Sequence, residues 1–389
     1  MVSARAVTVA LVTLGTFTDL VAYSIAVPVL PDLTRRLGAS PTVIGLLFGS
    51  FGVTLLCVSV PAGALSDRIG RRGPLVVGML LLAGSTLLLA YGERLSWLFA
   101  ARLLQGAADA VAWGVGFALI ADLYGAEARG RVMGLVMAGS NLGFMIGPSI
   151  GGWLYETGGA RLPFLAVTAL ALVTAVGLLL MWVPPPTRQR APITMRALLR
   201  HPPIWSCALV VAIASATISM MEPVLSLWLS SVLGLTPGRI GLVFGVAAVA
   251  STIMHPLYGR LADRVGGRPL MLLGLVLMSG VLPLLGRASS LATALTFFVL
   301  LAALVSLVVT PSLAFMAEAT TAAGATGYGV SYGLYNVAWG AGLLGGPALG
   351  GLLFDHLGFA TLTLVWLPIV FGGVAIFGVL GRRTGLGLA

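Results

Sequence analysis

The sequence predicts an all-α membrane protein of twelve transmembrane helices, arranged as two parallel six-helix repeats. Three observations lead there. Only 9% of the 389 residues are charged, 58% are hydrophobic, and the mean hydropathy is +1.05. A water-soluble domain carries roughly a quarter charged residues, so this chain has too little polar surface to face water on all sides. Apolar runs close to the roughly 20 residues that cross a bilayer recur from end to end. Finally, three strings return at nearly one spacing. GALSDRIGRR (63–72) reappears as GRLADRVGGR (259–268), GPSIGG (147–152) as GPALGG (346–351), and PVL (28–30) as PVL (223–225).

Charges and Gly/Pro clusters divide the chain into spans at about 6–31, 42–65, 73–92, 96–121, 132–155 and 163–183, then 204–230, 239–262, 269–287, 291–317, 326–354 and 360–381. The first run reaches Pro31, which is too long for a signal-peptide core, and no small-residue cleavage site ends it; it is read as a retained helix. Arg35 and Arg36 follow that first span, Arg68, Arg71 and Arg72 the second, Arg94 the third, Arg129 and Arg131 the fourth, and Arg161 the fifth. After the sixth comes a basic, proline-rich stretch, PPPTRQRAPITMRALLRHPP, which makes 184–203 the expected linker between bundles at 1–183 and 204–389. With the N-terminus inside, fifteen arginines fall on the cytoplasmic side and six on the other, and Arg102 lies within span 4. That bias places both termini in the cytoplasm.

Composition also excludes classes. The net charge of +10 is all arginine, since there is no lysine, and it sits in short loops where it sets topology rather than binding nucleic acid. Cys57 and Cys207 both lie in apolar segments, so neither a disulfide framework nor a thiolate metal site is implied. The three histidines are dispersed, and no nucleophile–base pair or metal spacing suggests an enzyme. Many of the 52 glycines lie inside apolar spans, where small residues let helices approach closely.

These residues carry a resemblance. Gly63 to Arg72 resembles the signature loop of the major facilitator superfamily, whose architecture is a parallel repeat of two six-helix halves. RLLQG (102–106) is similar to that family's second motif, and GSNLGFMIGPSIGG (139–152) to the antiporter motif of its proton-coupled drug exporters. DLVAYSIAVPVLPDL in span 1 and SMMEPVLSLWL in span 7 resemble the vesicular amine transporter branch and its bacterial multidrug-exporter relatives. That resemblance implies that Asp19 engages a cationic amine and that Glu222 takes part in substrate or proton handling. It implies that Asp67, with Arg68 and Arg71, contacts a helix end of the other half and governs the conformational cycle, with Asp263 and Arg264 as the second-half counterpart. The chain departs from the vesicular branch in three ways. Ser306 and Asn336 stand where that branch has acids, Phe51 stands where it has a lysine, and the loop from Asp32 to Pro41 is short and carries no glycosylation sequon.

The residues themselves point to the same places. Of twelve acids, three lie well within spans: Asp19, Asp109 and Glu222. An ionised carboxylate at membrane depth costs at least about 2.5–3.5 kcal/mol, so it faces a partner or a cavity, and a carboxyl held there can exchange a proton for a cation. These three are the candidate proton-coupling residues. Asp19 lies about 13 residues into its span, near the midplane, and Tyr23 shares its face. An acid beside an aromatic ring suits an organic cation. Ser215, Ser219, Glu222 and Ser226 form one polar stripe on span 7. Arg102 and Asp109 lie two turns apart on span 4 with Trp113 one turn further, and an internal ion pair is the alternative reading. Span 11 carries Tyr328, Tyr332, Tyr335, Asn336 and Trp339 in near-helical spacing, candidate cavity lining together with Asn141, Phe315 and Trp228. His255 beside Pro256 is a packing residue or a proton carrier. Gly147, Pro148, Gly151 and Gly152 shape span 5 for close packing, and Arg102 organises neighbouring helices.

The expectation is a monomeric antiporter in a prokaryotic plasma membrane. It exports lipophilic, cationic small molecules against a proton gradient by alternating access, with no cofactor, no nucleic acid and only lipids around it. A facilitator or symporter for a neutral or anionic solute, and a non-transporting receptor, are the alternatives.

Overall fold

The computed structural model describes residues 4–124, 126–180, 201–322 and 329–382, and these are helical with no strand. Tyr328, the side chain of Tyr332 and residues 184–200 of the expected linker lie outside the described residues. In chain order the helices are α1 (Ala4–Arg36), α2 (Pro41–Ile69), α3 (Arg72–Tyr91), α4 (Leu95–Leu123), α5 (Ala126–Gly158), α6 (Arg161–Leu180), α7 (Pro202–Leu233), α8 (Pro237–Val265), α9 (Gly267–Gly286), α10 (Leu291–Ala322), α11 (Gly329–Val365) and α12 (Leu367–Arg382).

Most helices run past the apolar spans that mark them. The first does not end near Pro31 but carries Pro28 and Pro31 inside it and continues to Arg36. Hydropathy reads only the lipid-facing length, whereas backbone hydrogen bonding continues into the interface wherever no stronger partner ends it. At the other end of the chain, 37 residues of α11 would make a helix about 55 Å long, well beyond the ~30 Å hydrocarbon core. Gly358, at φ 74°, resolves this. It adopts a backbone conformation that a side chain disfavours and turns the chain, so the 48-residue apolar stretch Gly333–Leu380 supplies two crossings.

Two compact units result. Unit 1 holds Met1–Ser40, Leu46–Gln189 and Gly234–Gly245; unit 2 holds Pro41–Gly45, Arg190–Leu233 and Val246–Ala389. Within unit 1, α1 packs chiefly on α5 and also on α4 and α6, while α3 lies against α4 and α6. Within unit 2 the same pairs recur six helices later: α7 on α11, α10 and α12, and α9 against α10 and α12.

The repeated GPxxGG strings explain the tightest pair in each unit. A Cβ on Gly147 would stand 2.0 Å from Ser24 Oγ, and one on Gly151 would stand 2.4 Å from Ile25 Cγ1. Ser24 Oγ lies 3.3 Å from the Gly143 carbonyl it donates to. In unit 2 a Cβ on Gly346 would stand 2.2 Å from the Ala216 carbonyl oxygen, and one on Gly350 2.3 Å from Met220 Cγ. Ser219 Oγ donates to the Gly342 carbonyl at 3.2 Å. The seam is the same, residue for residue.

Each string is followed alike, four residues on, by a carboxylate seated on a helix start whose first residues fall in its own unit, Gly234–Gly245 in unit 1 and Pro41–Gly45 in unit 2. Glu156 accepts from Thr236 Oγ1 and, at 3.2 Å, from the Gly238 amide at the start of α8. Asp355 accepts from Thr42 Oγ1 at 2.6 Å and from the Thr42 amide at 3.3 Å at the start of α2. A carboxylate there meets unsatisfied N–H groups and the positive end of the helix dipole.

The seam has a measurable consequence. Gly147→Val should destabilise the purified protein by about 1–3 kcal/mol through overpacking, read as a lowered thermal midpoint. Gly84→Ala, with nothing within 4 Å of the added carbon, should leave it unchanged.

Candidate functional site

Helix α1 is hemmed in by α4, α5 and α6, so its polar side chains need internal partners. Its hydroxyls find them on their own backbone: Thr13, Thr16, Thr18 and Ser24 each donate to the carbonyl one turn earlier. Thr16 Oγ1 also pairs with Ser140 Oγ of α5 at 2.5 Å, one residue before the half-buried Asn141. A carboxylate has no such recourse, because it only accepts. Asp19 is 1% exposed and must be met from neighbouring helices.

Helix α4 meets it. Trp113 Nε1 donates to Asp19 Oδ2 at 3.1 Å, and the Asp109 carboxyl lies within side-chain hydrogen-bond reach. Asp19 Oδ1 is sealed from solvent and accepts no hydrogen bond from the described residues. Arg102 acts electrostatically on both acids. It is fully buried and donates through Nη1 to Gln105 Oε1 at 2.7 Å. Its guanidinium carbon lies 5.3, 5.2 and 5.0 Å from the ring centres of Tyr23, Phe48 and Phe51. Those are cation–π distances.

The packing of α2 on α4 makes this possible. A Cβ on Gly106 would fall 2.1 Å from the Phe51 carbonyl oxygen, and Thr54 Oγ1 donates to the Leu103 carbonyl at 2.6 Å. That approach lays the rings of α2 over the arginine. Tyr23, edge-on to Phe51 at 5.0 Å between centres, therefore serves Arg102, while the aromatic group bonded to Asp19 is Trp113, itself stacked on Phe117 at 5.6 Å. Asp19, Tyr23, Arg102, Asp109 and Trp113 thus converge within unit 1. Sequence reading quoted Gln105 only within RLLQG, without a role, and missed Phe48 and the cationic contact of Phe51; apolar rings in an apolar helix carry no mark that would have found those two.

In unit 2 the polar stripe of α7 is buried, including Glu222 at 5% exposure. Ser215 donates to the Trp339 carbonyl at 2.8 Å and Ser219 to Gly342, so two of its members fasten α7 to α11. Tyr335 is buried and pairs with Ser312 Oγ at 3.1 Å, Asn336 is exposed, and Trp339 is half-buried. Phe315 packs against Phe377 and Trp228 against Phe359. Glu222 and these aromatics share a unit.

The loop between α2 and α3 forms a separate polar cluster. Arg71, 7% exposed, pairs with Asp67 at 2.5 Å and Asp122 at 2.9 Å, and donates to Ser66 Oγ at 2.6 Å. Arg68 points outward. The second copy differs: Asp263 and Arg264 are exposed, Gly267 occupies the register of Arg71, and Arg268 Nη2 donates to the Gly378 carbonyl at 3.2 Å.

The family profile described as Major Facilitator Superfamily matches residues 12–232 and 207–385. The chain is 31% identical over 366 residues to the "Probable vesicular acetylcholine transporter-B" of Danio rerio, covering 89% of this chain and 73% of that one. It is 30% identical over 346 residues to the "Chromaffin granule amine transporter" of Rattus norvegicus, covering 86% of this chain and 64% of that one. Among solved structures, a bacterial homolog of the human lysosomal transporter Spinster superposes with a TM-score of 0.81 at 15% identity, covering 99% of this chain and 98% of that one. That likeness speaks to the fold alone.

The Arg71 cluster yields its own test. Arg71→Leu strands the buried Asp122 and should cost about 3–5 kcal/mol, whereas Arg71→Leu combined with Asp122→Leu should recover most of it. Chemical or thermal unfolding of the two variants in detergent checks this.

Proposed function

We propose, for a chain that belongs to the major facilitator superfamily, that it exports lipophilic organic cations of the amine class in exchange for protons. The membrane is read as a prokaryotic plasma membrane with both termini cytoplasmic, from the arginine bias. The observation that carries the reading is the juxtaposition of Asp19, Asp109 and Arg102 inside unit 1, with Trp113 bonded to Asp19. The names of the curated relatives, which include an amine transporter and an acetylcholine transporter, point to the same substrate class.

The charge balance of the site suggests how exchange would run. Two carboxylates facing one guanidinium leave one negative charge, and burying that charge in a lipid environment is costly. One proton on the dyad neutralises it. So does one monovalent organic cation bound at Asp19 with the proton gone, its ammonium paired to the carboxylate and its flank against the Trp113 ring. Proton and substrate thus compete for one neutralising position. Protonation from outside releases the cation, and loss of the proton toward the cytoplasm restores the site. Glu222 would supply a second carboxyl in unit 2. An anionic substrate is disfavoured because the buried Arg102 already bonds the Gln105 amide oxygen, lies against three rings and is balanced electrostatically by two acids.

In proteoliposomes an imposed pH gradient should accelerate flux of a lipophilic amine through the native protein. Asp19→Asn should cut that flux by about tenfold or more, the loss expected for a charge-assisted contact. Flux indifferent to both the gradient and the substitution would defeat the reading.

A further inference from the structure

The proposed exchange uses carboxyls, yet unit 2 also holds a half-buried imidazole, His255, that this scheme leaves idle. His255 lies on α8 in line with Phe244, Ala248 and Ala262, each under 9% exposed, and away from the outward-facing Val246, Ile253, Leu257 and Leu261. It therefore sits on the protein face of its helix. Nδ1 pairs with Thr310 Oγ1 of α10 at 2.6 Å. One turn back, Ser251 Oγ of α8 pairs with Ser306 Oγ of α10 at 2.5 Å, and Ser306 donates on to the Ala302 carbonyl at 3.0 Å. Two polar rungs thus join α8 and α10 over one helical turn, about 6 Å.

Those rungs fix the ring without using up its chemistry. Nε2 makes no hydrogen bond to a described residue, yet it is not among the sealed, unsatisfied polar atoms of the chain, so it retains accessible surface. Ten residues separate His255 from the end of α8 at Val265, about 15 Å of helix, on the side that carries Arg260 and Arg264. On its own helix the nearest titratable or charged neighbours are Tyr258, Arg260 and Asp263; on α10, which faces it, Glu318 lies two turns beyond Thr310. None of them forms an ion pair with the ring among the described residues. Histidine is the side chain whose ordinary charge change falls between pH 5 and 8.

We propose that His255 is a proton-binding station in unit 2, its Nδ1 anchored by Thr310 and its Nε2 taking up and releasing the proton on the side of α8 that carries Arg260 and Arg264. Nδ1–H donates to Thr310 Oγ1 throughout; on uptake Nε2 gains the proton and the ring becomes imidazolium, and on release Nε2 gives it up and the neutral Nδ1–H ring remains. The transport role rests on the proton-antiport reading above, whereas proton uptake by the ring does not.

Two measurements separate these. In protein labelled with 15N-histidine, the ring signals of His255, identified by their loss in H255Q, should pass reversibly from the neutral to the imidazolium position between pH 5 and 8. His201 and His356 serve as internal comparison. In proteoliposomes, H255Q should lower gradient-driven amine flux by about tenfold or more, the scale of a lost acid–base group. Its substrate affinity and gradient-free exchange should stay near native, as a purely structural hydrogen bond would not require. Ring signals that do not move across that range overturn the proposal, as does native gradient-driven flux in H255Q. If the native protein shows no gradient-driven flux, the antiport reading fails instead, and the titration alone decides whether His255 takes up the proton.

Discussion

The close approach of α5 to α1, repeated by α11 on α7, is the constraint on which the rest depends. Glycines at one-turn spacing remove the Cβ from the closest points of contact, so there the backbone of one helix rests on side chains and carbonyls of the other. In lipid this matters more than in water, since no hydrophobic gain drives two apolar helices together and packing must do so. Ser24 and Ser219 then lock the register by donating across the seam to Gly143 and Gly342. With that register set, α1 cannot rotate or slide, and Asp19 must face α4.

Once Asp19 faces α4, electrostatics narrows what α4 can carry. A lone carboxylate there would be expensive, and a lone arginine equally so. Placing Arg102 near both Asp19 and Asp109 brings the cluster within one unit of neutrality, and three aromatic rings solvate the guanidinium where water would otherwise stand. One negative charge then remains, the charge on which the proposed exchange turns. The same logic explains why many Ser/Thr hydroxyls, such as those of Thr13, Thr16 and Thr18, sit in the interior at little cost: each can donate to the carbonyl one turn earlier on its own helix. Carboxylates and guanidinium groups cannot do this, so they are the groups that organise the interior.

That distinction also governs what could be read in advance. Helix number and repetition were legible because the bilayer imposes a length and a composition on each crossing, and because close packing leaves GPxxGG as a visible scar in both halves. Helix ends were less so; the backbone of α1 continues past Pro31 to Arg36 because hydrogen bonding, unlike hydropathy, does not stop at the hydrocarbon edge. Asp19, Asp109, Arg102 and Glu222 stood out for their cost in an apolar run. Their partners did not. Tyr23 does lie one turn from Asp19, but which charge its ring serves is decided by how α2 crosses α4 at Gly106, a tertiary fact. Asp122 was silent for another reason, since an acid at a helix end is ordinary until Arg71 is seen to be buried against it.

The matched seams also give the two halves a common ruler. Ser24 corresponds to Ser219, each donating across its seam to an equivalent glycine carbonyl. Asp19 lies five residues before its serine and Glu222 three residues after its own. In that shared register the two acids are eight residues apart, about 12 Å along a helix axis, so duplication did not copy the site. In unit 2 the position matching Asp19 is Ala214, which makes no polar demand, and in unit 1 the position matching Glu222 is Val27. A duplicated scaffold thus carries unduplicated chemistry. The glycines and serines that hold each half together must agree, while the acids, which need only one set of partners each, are free to differ.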